Sequence, residues 1–141
     1  MVAVVALALA AAACAPAGAP GSGVTGDMVQ AANQDRAAAG LGGLAWDGGL
    51  ARLAQGHAEE IAASGSLWHS NLGAWLGPWR ALGENLYMGP PGSTAWAAED
   101  AWMASPPHRA NLLNGGYNRI GLGVKVDGAG RVWMVALFGT A

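Results

Sequence analysis

The chain has 141 residues, a formal net charge of −2, and only 11% Asp, Glu, Lys and Arg. That length gives room for one domain with a real core, and the lack of a dense Lys/Arg footprint excludes nucleic acid as a partner. Seven Trp and 23 Gly stand out, but the glycines are scattered and follow no collagen or linker period.

Residues 1–15 form an unbroken apolar run that ends Leu9-Ala10-Ala11-Ala12-Ala13-Cys14-Ala15. The run is shorter than the about 20 residues a spanning helix requires. It fits the apolar part of an export signal, although no Lys or Arg precedes Arg36. Cys14 is the only cysteine, so no intrachain disulfide can form. Its surroundings resemble a bacterial lipoprotein cleavage box, with Cys14 as the lipidated residue and Ala11 where Leu is preferred. Plain secretion after cleavage at Ala-x-Ala is the alternative. Residues 16–25 read as a flexible tether, which leaves 26–141 as the folded domain. The expected location is outside the cell, free or lipid-anchored on the outer face of a bacterial cytoplasmic membrane. Membrane contact is expected only through that anchor.

In the folded part, Met28, Ala32, Asp35 and Ala39 have helical spacing, so a first helix is expected over Asp27–Ala39, stopped by Gly40. Asp47 can cap a second helix from Gly48 to Ser64, with an apolar stripe of Leu50, Leu53, Ala54, Ala58 and Ile61 and a stop at Gly65. Ser66–Gly83 has no clean period and reads as an ordered loop, and Leu86–Met88 as a short strand. Ser93 or Thr94 can cap a third helix over Ala95–Ala104; Pro106-Pro107 breaks it, and a brief helix runs on to Leu113. Ile120, Leu122, Val124 and Val126 alternate with Gly121, Gly123 and Lys125, and Asp127-Gly128-Ala129-Gly130 makes a hairpin turn. Val132–Phe138 is apolar on both faces, as befits a central strand covered on both sides. The expected class is α+β: three or four helices around a small, mainly antiparallel sheet.

Three motifs spend the scarce ionisable groups: Leu67-Trp68-His69-Ser70, Gly83-Glu84-Asn85-Leu86, and Ser105-Pro106-Pro107-His108-Arg109-Ala110-Asn111-Leu112-Leu113. Two imidazoles and a carboxylate are what a divalent cation or a general acid/base pair needs. His69 is a candidate ligand or base, or else a partly buried ring bonded to backbone. Glu84, beside two imidazoles, would stay ionised and fix a ring tautomer, or pin its loop by accepting backbone N–H bonds. His108 would be the third residue of a helix capped by Ser105, whose positive end disfavours imidazolium. Ser105 reads as a cap rather than a nucleophile, since no Gly-x-Ser-x-Gly surrounds it. Asn85 can bond local backbone. His57 shares the stripe of the second helix and reads as a core histidine, and His57-Ala58-Glu59-Glu60 is not a His-Glu-x-x-His zinc signature. Glu59 falls on the solvated face and Glu60 at its border. Trp46, Trp102 and Trp133 read as core. Trp75 and Trp79 would contact a lipid or glycan if their loop overhangs a cleft.

Taken in order, these pieces resemble the CAP superfamily (cysteine-rich secretory proteins, antigen 5 and pathogenesis-related group 1 proteins), in its short cysteine-poor bacterial branch. The resemblance spans nearly all of 27–138, from Asn33-Gln34-Asp35-Arg36 and Trp46-Asp47, through His57-Ala58, His69-Ser70 and Gly83-Glu84-Asn85-Leu86, to Ser105–Leu113, Tyr117 and Ile120-Gly121-Leu122-Gly123. It implies an α-β-α sandwich with an open cleft lined by His69, Glu84 and His108. The family's second glutamate, three residues after Trp102, is Ser105 here, so any Zn²⁺ or Mg²⁺ would be weakly held. The implied function is an extracytoplasmic binding module for a small apolar ligand or a cell-envelope component. A metal-assisted hydrolase using the same cleft is the alternative.

Overall fold

The computed structural model describes residues 23–141. Cys14, the export signal and most of the tether lie outside that range. Four helices enclose a four-stranded mixed sheet, which is the α-β-α sandwich expected. None of the described helices is long and apolar enough to cross a membrane.

Helix α1 spans Val24–Ala38 and so takes up residues assigned to the tether. Its inward face is Met28, Ala31, Ala32 and Arg36 rather than the stripe through Asp35 and Ala39, because Ala31 and the guanidinium of Arg36 pack inside. Gly40, at φ 74°, ends the turn where a side chain would be strained. Asn33 holds the following segment by donating to the Leu44 carbonyl and accepting from its N–H. Arg36 is 1% exposed and donates to the carbonyls of Gly42, Leu112, Asn114 and Tyr117. One buried cation thus ties α1 to the far end of the chain.

Strand β1 is only Ala45–Trp46 and runs parallel to β3 (Arg119–Val126), which makes the sheet mixed. Two residues carry no alternation for a pattern to reveal. Helix α2, Gly48–Ser64, follows the pattern closely. Asp47 accepts from the N–H groups of Gly49 and Leu50, Gly65 closes it at φ 68°, and Leu50, Ala54, Ala58 and Ile61 are buried. The region after it contains a short 3₁₀ turn, η1 (Leu72–Trp75).

Strand β2 runs Ala81–Gly89, well beyond the three residues expected, and pairs with β4 (Val132–Thr140) throughout, from Ala81↔Thr140 to Gly89↔Val132. Partnership with a central strand overrides a weak local preference here. Thr94, not Ser93, caps α3 (Ala95–Met103), and α4 spans Pro106–Leu112. At the β3–β4 turn the Asp127 carboxylate accepts from Trp133 Nε1, Arg131 Nε and the N–H groups of Ala129 and Arg131. These donors, the Trp133 indole foremost, hold its pKa down at about 2.

The sheet order is β1-β3-β4-β2. Along β4, Val132, Met134, Ala136 and Phe138 join the core under α1, α3 and α4, while Trp133, Val135 and Leu137 join the core under α2. Each of these side chains larger than alanine contributes about 1.5–3 kcal/mol or more when fully buried. On β3 a Cβ at Gly121 or Gly123 would collide with the α2 backbone at Leu50–Ala51 and Ala54–Gln55, so α2 lies directly on bare strand. Trp102 and Trp133 are fully buried and Trp46 is half-buried.

Candidate functional site

The three motifs meet at the free edge of β2. Glu84 sits on the face of that strand turned to the segment after α2, and Asn85 on the face turned to α4. Gly83 has no side chain because a Cβ there would stand 2.5 Å from the Tyr117 hydroxyl oxygen and 3.1 Å from Asn111 Oδ1. That close approach lets α4 and Tyr117 crowd the strand next to Glu84.

The Glu84 carboxylate is buried, with a side-chain exposure of 1%, while the His69 ring is 65% exposed. Its Oε1 accepts from the Ser70 N–H at 2.9 Å and lies 2.8 Å from His69 Nδ1; its Oε2 accepts from the Ser70 hydroxyl at 2.5 Å. A carboxylate only accepts, so His69 Nδ1 carries a proton, and in the neutral tautomer that this selects, Nε2 holds the free lone pair. Both readings of Glu84 therefore apply: it pins the loop through Ser70 and fixes the tautomer of His69.

His57 is buried, as a core histidine should be, but it also reaches toward this loop. Its Nε2 donates to the Trp68 carbonyl at 2.7 Å, and its ring meets the Trp68 indole edge-on at 4.4 Å between centroids. Trp68 immediately precedes His69, so α2 holds the loop on one side and Glu84 holds it on the other. Glu59 is exposed, and Glu60 is also mostly exposed, with its carboxylate 3.3 Å from His57 Nδ1.

His108 enters from α4. Ser105 occupies the cap position in extended conformation, yet its side chain caps no backbone N–H. Pro106 and Pro107 remove the first two donors, and the hydroxyl lies 2.8 Å from His108 Nδ1 instead. Ser105 is thus a partner of the ring rather than the helix cap expected. Burial, and then the charge of nearby His69, lower the His108 pKa, which favours the neutral ring. Asn85 donates to the His108 carbonyl at 3.0 Å and accepts from Asn111 Nδ2 at 2.9 Å, and Asn111 also donates to the Glu84 carbonyl at 3.0 Å. Ser70 and Asn111 have roles that the sequence alone does not reveal. Both lie inside quoted motifs, but a hydroxyl and an amide give no pattern until their partners are known.

Among the described residues no three or more His, Cys, Asp or Glu side chains are grouped closely enough to hold a metal. Glu84 spends its oxygens on Ser70 and His69. The potential donors are the two imidazoles. Met103, Ala104, Pro106, Arg109, Ala110 and Leu113 line an open, largely apolar groove of about 520 Å³ between the end of α3 and α4, along a face of α4 that does not include His108. Trp68 and Leu67 before His69, and Leu76 beyond it, are exposed.

A three-layer sandwich with paired histidines at the free edge of its sheet places the molecule among the SCP-like proteins. The chain belongs to the CAP family: the family model described as "Cysteine-rich secretory protein family" matches residues 29–138. Among solved structures it is similar to an outer surface protein of Borrelia burgdorferi, with 20% identity, a TM-score of 0.71, and coverage of 81% of this chain and 90% of that one. It is also similar to an extracellular protein containing an SCP domain from Bacillus anthracis, at 28% identity and TM-score 0.66 over 82% of this chain; there it spans 39% of the other protein. A third structure of the fold, determined with Zn²⁺, is 16% identical over 89% of this chain and 83% of its own, with TM-score 0.65. Among curated proteins, none matches the sequence.

Proposed function

We propose that this CAP domain is an extracytoplasmic binding module that holds a divalent cation weakly at His69 and His108 and an apolar ligand in the groove along the other face of α4. The carrying observation is that each imidazole has a partner at Nδ1, Glu84 for His69 and Ser105 for His108, while Nε2 of neither ring has a protein partner among the described residues, so a cation would bind there. Water would complete the coordination of Zn²⁺ or Mg²⁺, and two protein ligands fewer than a structural zinc site agree with weak binding. The relative determined with Zn²⁺ supports the same reading. The groove beside α4, apolar but for Arg109, suits a lipid-like molecule or envelope component with an anionic group. The exposed Leu67 and Trp68 extend the apolar surface next to His69.

Placement outside the cell accords with the outer-surface and extracellular relatives. The apolar run ahead of the domain supports export, with Cys14 as the lipid attachment point. The hydrolytic alternative requires Glu84 to take a proton from water. At 1% exposure and with its oxygens bonded to Ser70 and His69, that carboxylate is poorly disposed as a base.

Titration calorimetry with Zn²⁺ tests the cation site. Micromolar to millimolar binding is expected for the wild type and loss of heat for His69→Ala/His108→Ala; equal binding by both would sink it. Mass spectrometry of organic extracts from the purified protein tests the ligand, with Leu113→Glu expected to reduce its yield. Metabolic labelling with a palmitate analogue, lost in Cys14→Ser, tests the anchor.

A further inference from the structure

Away from the cleft, the α1–α3 interface contains a second buried acid. Glu99 is 2% exposed, and among the described residues neither of its carboxyl oxygens makes a well-formed hydrogen bond, although the Asp35 carboxylate is close enough to share its proton. An ionised carboxylate in such a place would carry a desolvation cost of several kcal/mol with nothing to offset it. No cation is at hand. The charged groups facing Glu99 are Asp35 from α1 and its own neighbour Asp100, both acids. Arg36, one residue after Asp35, turns away and spends its donors on four carbonyls. From α4, neither His108 nor Arg109 forms an ion pair with it, and on β2 the Glu84 carboxylate and Tyr87 hydroxyl are bonded elsewhere.

We propose that Glu99 is a proton-operated latch between α1 and α3: as a neutral acid it lets the helices close, and on ionising it repels Asp35 across the interface and loosens them. The direction follows from linkage. Burial first, then proton sharing with Asp35, and then the charges of Asp35 and Asp100, push the pKa of Glu99 up to about 8 from an ordinary value of 4.5. The folded chain therefore holds a proton that the unfolded chain has lost. Stability from this group is complete below about pH 4.5, is lost as pH rises toward about 8, and changes no further above that. The latch also reaches toward the cleft. Trp102, one turn beyond Glu99 on α3, donates from Nε1 to the Leu86 carbonyl at 2.8 Å, on the strand that carries Glu84. Release of α3 thus loosens the outer edge of β2.

The test is the unfolding equilibrium of the full chain from about pH 5 to about pH 9, compared with Glu99→Gln so that the histidines cancel in the difference. The wild type should lose up to tenfold in folding constant per pH unit relative to the variant below about pH 8, and the curves should run parallel above it. Parallel curves throughout would overturn the latch. Should Glu99→Gln fail to fold, infrared spectroscopy of the wild type decides. A protonated carboxyl band should persist at neutral pH and disappear near pH 8, and no such band at neutral pH rejects the proposal. Asp35→Asn should move the midpoint of that band downward; an unmoved midpoint removes α1 from the latch and overturns it as stated.

Discussion

The two imidazoles beside β2 are held by opposite means. His69 lies on an irregular segment with its ring 65% exposed, yet it rests on a buried carboxylate rooted in β2. His108 lies in a seven-residue helix, half-buried, and has only a hydroxyl beside its ring. The exposed ring is therefore the more firmly set of the two. Orientation here comes from what is hydrogen-bonded behind a ring rather than from how deeply the ring is buried.

The sharpest way to break the contrast is Glu84→Ala. It strips the Ser70 N–H, the Ser70 hydroxyl and His69 Nδ1 of one shared acceptor. A loss of about 2–3 kcal/mol is expected in urea denaturation, chiefly from the part-buried Ser70 donors left unpaired. Glu84→Gln keeps the shape but not the charge and should cost about 1–2 kcal/mol. Ser105→Ala caps nothing at present, so stability should change by less than about 0.5 kcal/mol. Its effect should fall on Zn²⁺ affinity, with about a tenfold loss in calorimetry as the ring is freed. Equal effects of Ser105→Ala and Glu84→Gln on both quantities would erase the distinction between the two imidazoles.

The smallest effect expected is one of pH. The folded pKa of His108 lies below its unfolded value of 6.5, so the folded chain binds fewer protons than the unfolded one as pH falls past 6.5. Its contribution to stability is present above 6.5 and is lost as pH falls through that value toward the lowered folded pKa. His108→Gln should flatten this part of the acid limb of a stability profile, and Zn²⁺ binding by the wild type should weaken over the same range.

What could be read in the sequence was what local chemistry decides. Helix α2 shows the clearest case, since its Asp47 cap, its stripe and its Gly65 stop all lie within the segment they define. The two-sided apolar run of β4 likewise announced a covered central strand. Strand β2 was mostly hidden because Gly83, Glu84 and Asn85 break any alternation, and its length is set by β4, more than forty residues later. In the site, the residue types were legible but their division of labour was not. That Glu84 bonds both Ser70 and His69 depends on the fold that brings the segment after α2 against β2. The choice of Ser105 for a ring over a backbone N–H depends on two prolines acting together in three dimensions. His57 was read correctly as core, while its grip on Trp68 required the fold.

Because α2 is seated against the uncovered backbone at Gly121 and Gly123, those positions tolerate no added carbon without lifting the helix. The helix carries His57, and His57 grips the peptide just before His69. A methyl group introduced on the far strand would thus be transmitted, as by a lever, to the cleft it never touches. Selection for cleft geometry is therefore predicted to register as a ban on side chains at two inconspicuous glycines, and Gly123→Ala should disturb the His69 environment more than a polar exchange at the exposed tip of its own loop.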